Sequence, residues 1–462
     1  MRVLCRLLCA LLFVAWTAEL PADAGTHLYC EYWRSPLQAL GPLFVSMPGV
    51  GLLPWQALLL VATPFCLLWP GAFHKRAWPM DAAIVTSLAS VLVSFLWGVL
   101  RGGSAYNAYY QLWRFLLALL VGVLLLSTVR SSRDLKALGW TVLAAACLRG
   151  SLGIYFYWAH VRGKINPLPP HVTTHDDSLL FVSGLVIVLS WAFARRRWRT
   201  WLAASLVSGG LIYAIVLNNR RLAWIELLLA LGFAYLLLPP GAGRRRVTLW
   251  LLIGAPLVLA YFVVGSQRPE AVFAPARALS TAGSNEDASS LARQEEIRNL
   301  IYTLTTAGNP LLGTGWGVPY QKVTSVYANY GQEWWQYVYM PHNSLLGVAV
   351  FSGLVGICGI WLVVPVGAFL ATRGYRGSTR PVERSAAMTA LCVLPAYAAQ
   401  CYGDIGFQSL TCDLLLGVAI AVAGTVSARG GRAPNRPRGR RAKVSLRDPL
   451  RGELQVVASS RG

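Results

Sequence analysis

The sequence predicts an all-α polytopic membrane protein of about twelve transmembrane helices, with one large extracytoplasmic loop containing short helices. Three observations lead there. Of 462 residues, 55% are hydrophobic and only 13% charged, about half the charge of a soluble domain. That charge is clustered, leaving runs such as 82–100 with no ionisable side chain. Runs of roughly 18 or more apolar residues are long enough to cross ~30 Å of hydrocarbon as helix. Finally, Lys and Arg fall unevenly on alternate connections.

In chain order the apolar runs place spans at about 3–20, 54–70, 82–100, 109–129, 137–158, 178–194, 200–217, 222–239, 247–265, 344–371, 386–402 and 407–427. The Pro/Gly-broken stretch 36–53 reads as re-entrant or interfacial. The first span follows Arg2 and Arg6 and precedes Ala22-Asp23-Ala24, which resembles a signal cleavage site. A retained helix is preferred, because both termini then share one side. More than two thirds of the 41 Lys and Arg fall on that side. The positive-inside rule makes it cytoplasmic and puts 266–341 outside. The chain thus divides into a membrane region 1–265 of about nine spans, the loop 266–341, a membrane region 342–428 of about three spans, and a basic disordered tail 429–462.

The net charge of +22 would suggest nucleic acid in a soluble protein. Here the densest basic block, Arg429 to Arg451, follows the last apolar run among Gly and Pro. It suits attraction to anionic lipid headgroups. No folded nucleic-acid module accompanies it, so membrane lipids are the expected partner and nucleic acid is not. The nine cysteines lie mostly in apolar runs and show no metal-ligand spacing; a Cys30–Cys401 disulfide near the outer face is conceivable.

Loops as long as 266–341 are usually functional. Ser289 to Thr305 reads as a helix, with Ile297, Leu300, Ile301 and Leu304 in an apolar stripe that Arg293 shares. Arg298 points to solvent beside Glu295. Asn309-Pro310 stops the helix, and Gly313 to Gly317 makes a flexible turn. The aromatics from Trp316 and Tyr320 to Tyr339 suit the interfacial belt, with sugar stacking as an addition. No internal repeat is evident, which argues against a flippase or transporter built from duplicated halves.

Charge in or against the membrane is costly unless used. Arg220 and Arg221 stand in a very short outer turn, and two readings are open: phosphate recognition by planar, permanently charged donors, or snorkelling to headgroups. Arg293 either ligates an anion or pairs with Glu296 or Glu286. Arg114 and Arg149, inside spans, must face the bundle or a wet cavity. His342 follows Pro341, and Asn343 is placed to cap the next helix. This histidine is either an exposed loop residue or a base for a hydroxyl proton. His171, His175, Asp176 and Asp177 form a second outer cluster whose spacing, off a helix, is poor for metal. Asp176 or Asp177 caps the helix starting near Ser178, pairs with an outer arginine, or assists a base.

Together these residues resemble a known family. His342-Asn343, nine residues, then Gly353-Leu354-Val355-Gly356 resembles the His-[Asn/Ser/Gln]-x9-Gly-x-x-[Gly/Thr/Tyr] pattern of the bacterial O-antigen ligases. Asn309-Pro310-Leu311-Leu312-Gly313-Thr314-Gly315 resembles their Pro-Leu-x-Gly-x-Gly turn, and Arg293 their loop arginine. Arg220-Arg221-Leu222-Ala223-Trp224 resembles the outer Ser-Arg-x-x-Trp turn. Arg221 aligns best, but Arg220 replaces the usual serine, which leaves open which arginine holds phosphate. The resemblance covers roughly 210–365 and implies a GT-C-like membrane glycosyltransferase of the bacterial inner membrane, without metal or cofactor. Such enzymes move a glycan from an undecaprenyl-diphosphate donor to a hydroxyl of a lipid- or glycan-linked acceptor. His342 would then be the base, and Arg221 or Arg220, with Arg293, would hold the diphosphate; Asp176, Asp177, Asn343 and Arg149 are, from their positions alone and not from the resemblance, candidate supporting residues. O-antigen or exopolysaccharide polymerases and protein O-oligosaccharyltransferases are siblings that these motifs do not separate.

Overall fold

The structure is a computed structural model that describes residues 2–18, 54–68, 77–165, 171–195, 197–238, 240–268, 273–280, 288–324 and 338–430. Stretch 36–53, Cys30 and the tail beyond 430 lie outside these residues. Among the described residues the chain is helical, and its one isolated bridge pairs Asn309 with Gly313. The helices are α1 (Arg2–Ala18), α2 (Pro54–Leu68), α3 (Trp78–Leu100), α4 (Ala105–Thr128), α5 (Ser132–Phe156, continued by a π-turn Tyr157–Val161), α6 (Asp176–Arg195), α7 (Trp198–Asn218) and α8 (Arg221–Leu237). They continue with α9 (Ala242–Gly265), α10 (Ala274–Ser280), α11 (Ala288–Thr306), α12 (Ser344–Gly359), α13 (Val363–Gly377), α14 (Pro381–Gly403) and α15 (Leu410–Gly430).

A helix occupies each of the twelve expected intervals. Eight are both long and apolar enough to cross a membrane: α3 to α7, the later part of α9, α12 with α13 as one run, and α15. Helices α1, α2 and α8 are shorter, and α14 carries Glu383 and Arg384 in its first turns. The chain is accordingly a multi-pass membrane protein.

Local chemistry sets several boundaries. Ser131 and Asp134 form a reciprocal capping box at α5. Pro79 and Pro381 sit in the first turns of α3 and α14, where no N–H donor is needed. Asn219, at φ 49°, takes the left-handed conformation that closes α7. Helix α15 is apolar all round and buried almost throughout, packing against α4, α13, α14 and α6, as a central helix must. At Gly417 an added Cβ would stand 2.6 Å from the Ala118 carbonyl; such small-residue contacts let membrane helices approach closely. By contrast α9 presents Leu252, Leu257, Leu259 and Val263 outward, an apolar surface suited to lipid. Helix α1 packs on α5; its Trp16 is fully buried and donates from Nε1 to the Thr411 carbonyl.

The turn at 313–317 is built into the membrane region by backbone contacts. Helix α12 is broken at Gly353, whose φ of 56° and ψ of −149° no helix contains, and the loop inserts into the break. The Thr314 and Gly315 N–H groups donate to the Val350 and Phe351 carbonyls, at 2.8 and 3.0 Å. The Leu354 and Val355 N–H groups donate to the Pro310 and Leu311 carbonyls, both at 3.0 Å. Backbone groups freed by the kink are thus re-satisfied inside protein, the condition under which irregular backbone survives at membrane depth. Gly315, at φ 92°, lies so close to α3 that a Cβ would stand 2.2 Å from the Gly98 Cα. Trp316 locks the wedge by donating from Nε1 to Ser94 Oγ at 2.9 Å. Trp316 and Tyr320 are consequently buried instead of lying in an interfacial belt; the aromatics at 327–337 fall outside the described residues.

Candidate active site

Helix α11 forms, and the row that organises the site is polar rather than apolar. Leu300 is buried as its periodicity predicts, but Ile301 is 49% exposed, while Glu295, Glu296, Asn299 and Thr303 are all buried. Glu295 therefore does not stand at solvent beside Arg298. The reason is that the polar side chains hold the chain beyond the helix. Asn299 Oδ1 accepts from the Val323 and Thr324 N–H groups at 2.8 and 3.0 Å, and Thr303 Oγ1 accepts from the Gln321 N–H at 2.8 Å.

Ser290, Arg293 and Glu296 follow one another at intervals of three and so form one row along α11. Each meets a different part of the membrane region. Ser290 Oγ accepts from Arg221 of α8 at 3.4 Å. Arg293 donates to the Gly403 carbonyl at the end of α14 and lies 3.8 Å from the Asp404 carboxylate. Glu296 meets His342. At 1.5 Å of rise per residue, about 9 Å separates the first contact from the last. Arg221, Arg293 and His342, far apart in sequence, thereby share one edge.

The geometry at His342 is specific. Glu296 Oε2 lies 2.9 Å from His342 Nδ1, and Oε1 accepts the Asn343 N–H at 3.0 Å. An ionised carboxylate only accepts, so this contact places a proton on Nδ1, and in the neutral tautomer that results the lone pair is on Nε2. The second contact doubles as a helix-start bond: Asn343 is the N-cap of α12 and accepts the Leu346 N–H at 3.0 Å. The imidazole is thus held by the same carboxylate that anchors the helix beneath it, and its side chain remains 25% exposed. Glu296, expected as a partner of Arg293, is instead the partner of His342.

Asp404 takes the place expected for Glu296. It receives His175 Nδ1 and faces Arg293. Burial raises its carboxyl pKa, but His175, then Arg293 and His342, outweigh that and hold it well below the usual carboxylate range. Arg220, beside Arg221, leaves its mark on His171. Burial, the Arg220 charge and the neighbouring His175 push this imidazole down to about 3, and its Nδ1 donates to the Asn218 carbonyl at 3.2 Å. The Arg220 charge thus acts on this imidazole from the turn between α7 and α8. The remaining outer residues sit to one side: Arg149 pairs with Asp177, both buried, and donates to the Trp16 carbonyl. Asp177 also accepts the Thr174 N–H at 3.3 Å at the start of α6, and its arginine partner is Arg149 from within a span, not an arginine of an outer turn. Asp176, in the same first turn, is half-buried. Arg114 donates to the Gln408 carbonyl.

Two residues escaped the sequence reading. Asp404 follows an apolar helix end and carries no local signal, because its partners are at 175 and 293. Glu226 was legible: it is a lone carboxylate in the apolar run of α8. It is fully buried, and neither of its oxygens has a hydrogen-bond partner among the described residues.

The O-antigen ligase family model matches residues 206–361, the stretch from the middle of α7 to the end of α12. That stretch holds Arg220, Arg221, Arg293, Glu296, His342 and Gly353; His175, Asp404 and Arg149 lie outside it. No curated protein matches the chain.

Proposed function

We propose, from the premise that residues 206–361 are an O-antigen ligase domain, that this protein is a membrane glycosyltransferase that moves a glycan from undecaprenyl diphosphate to an acceptor hydroxyl. The observation that carries this reading is the row on α11, which sets two guanidiniums and a carboxylate-held imidazole along one edge. His342 Nε2 takes the acceptor proton, with Glu296 balancing the charge that forms on the ring. The acceptor oxygen bonds to the anomeric carbon while the bond from that carbon to the diphosphate breaks, inverting the centre. The diphosphate leaves with the electron pair. Arg221 and Arg293, with Arg220 adding positive field, stabilise that negative charge. Arg293 has five N–H donors, so its anchorage at Gly403 leaves others for phosphate. Large loop and active edge face outside the cell, and both termini lie in the cytoplasm.

The assay is transfer from a lipid-diphosphate glycan in membranes. His342→Ala is expected to abolish product while donor binding is kept; Arg221→Ala and Arg293→Ala are expected to weaken donor binding. Normal turnover in His342→Ala would remove the base, and full activity in both arginine variants would remove the clamp. A polymerase of the same superfamily would give the same results with a growing glycan as acceptor.

A further inference from the structure

The candidate active site occupies one end of the bundle, formed by the starts of α6, α8 and α12 and the end of α14. A second concavity lies at the opposite end, between the early turns of α5, α7 and α14, the late turns of α6, and α15. Its volume is about 420 Å³, within the ordinary range for a ligand site. Its walls are mainly Leu, Val and Ala, and of the hydroxyls among them those of Ser385 and Thr389 are engaged by Ser190, which suits a hydrocarbon chain.

The rim has the opposite character. Lys136 and Arg199 both line the cavity and are exposed. Neither forms an ion pair with a carboxylate among the described residues. Trp140 and Trp191 line it too, and the Arg195 guanidinium lies 4.5 Å over the Trp191 ring. Indoles and cations in this order mark a membrane–water boundary. Deeper in, Ser183 lines the cavity, and its Oγ is buried without a hydrogen-bond partner. This is the end that the distribution of Lys and Arg assigns to the cytoplasm.

We propose that this cavity binds an anionic phospholipid of the cytoplasmic leaflet, with one acyl chain in the apolar chamber and its phosphate between Lys136 and Arg199. Charge argues against the chain's own basic tail as occupant, since Arg429 to Arg451 would meet cations of its own sign. The site is separate from the proposed chemistry and stands whether or not that reading holds.

The test uses the full chain in nanodiscs of equal phosphatidylglycerol and phosphatidylcholine, released for native mass spectrometry. The wild type is expected to retain phosphatidylglycerol over phosphatidylcholine by roughly tenfold or more, from two cations each acting near an anionic headgroup. The double variant Lys136→Glu/Arg199→Glu is expected to lose that preference and, being confined to exposed residues, to fold. Gly139→Phe fills the chamber from a position where an added Cβ meets nothing within 4 Å, and is expected to empty it of both lipids. Equal retention of the two lipids by the wild type, an unchanged preference in the double variant, or undiminished lipid in a folded Gly139→Phe protein would each overturn the proposal.

Discussion

Glu296→Gln is the sharpest probe of the proposed chemistry. The glutamine keeps the size of the side chain but replaces one accepting oxygen with an NH₂ donor. In the native protein both carboxylate oxygens are used, toward Nδ1 of His342 at 2.9 Å and toward the Asn343 N–H at 3.0 Å. If the amide oxygen stays on Asn343, its NH₂ faces Nδ1 and forces the proton onto Nε2, the nitrogen required as base. If the amide turns over, a helix-start N–H loses its acceptor. A hydrogen bond to a charged group contributes about 1.5–3 kcal/mol, and a positioned base about 10²–10⁴ in rate. The imidazole is part-exposed, so its orientation is only partly lost, and turnover is expected to fall by about 10²-fold. Donor binding should remain near wild type, because neither arginine is touched. The assay is single-turnover transfer beside a donor-binding isotherm. Turnover within about twofold of wild type, alongside an inactive His342→Ala protein, would refute the idea that Glu296 sets the tautomer.

The other predictions concern stability. Gly315→Ala must place a Cβ against the Gly98 backbone at a positive φ; left-handed strain of about 1–2 kcal/mol with a backbone clash should lower the melting temperature clearly, whereas Gly209→Ala, whose Cβ meets nothing, should stabilise by up to about 1 kcal/mol. Equal melting of the two would dismiss the wedge. Arg149→Ala strands the buried Asp177 carboxylate, a loss of about 3–5 kcal/mol that Arg149→Ala/Asp177→Asn should partly restore in thermal denaturation. His171 titrates at about 3 in the fold against roughly 6.5 unfolded. Its contribution is therefore full above the unfolded value and is lost as pH falls through that window. His171→Asn should flatten the acid limb of a stability–pH curve; an unaltered limb would show that other groups carry it.

What could be read from the chain alone follows from the range of each signal. Helices in apolar runs are local facts, because length and composition decide them, and among the described residues a helix occupies each expected interval. The motif residues were equally accessible: Gly353 was noticed by spacing, and its positive φ supplies the physical cause, since a side chain there would collide with the Leu311 and Gly313 backbone. Pairings across hundreds of residues were not accessible. Nothing near Glu296 distinguishes His342 from Arg293 as its partner, and only the meeting of α11 with the start of α12 decides it. The close packing of 313–317 is not legible in the sequence for a similar reason. Repeated glycine signals freedom in an isolated peptide, but in contact with another backbone it signals the absence of room.

The break in α12 also bears on how this protein tolerates change in length. Residues 310–315 and 350–355 complete each other's hydrogen bonding, so they behave as one structural joint made from two distant stretches of polypeptide. A tag or linker introduced at either stretch would unseat the other, whereas one placed at Gly163, where an added Cβ would meet nothing within 4 Å, would leave the joint intact. Homologues differing by insertions should accordingly keep the lengths of both 310–315 and 350–355.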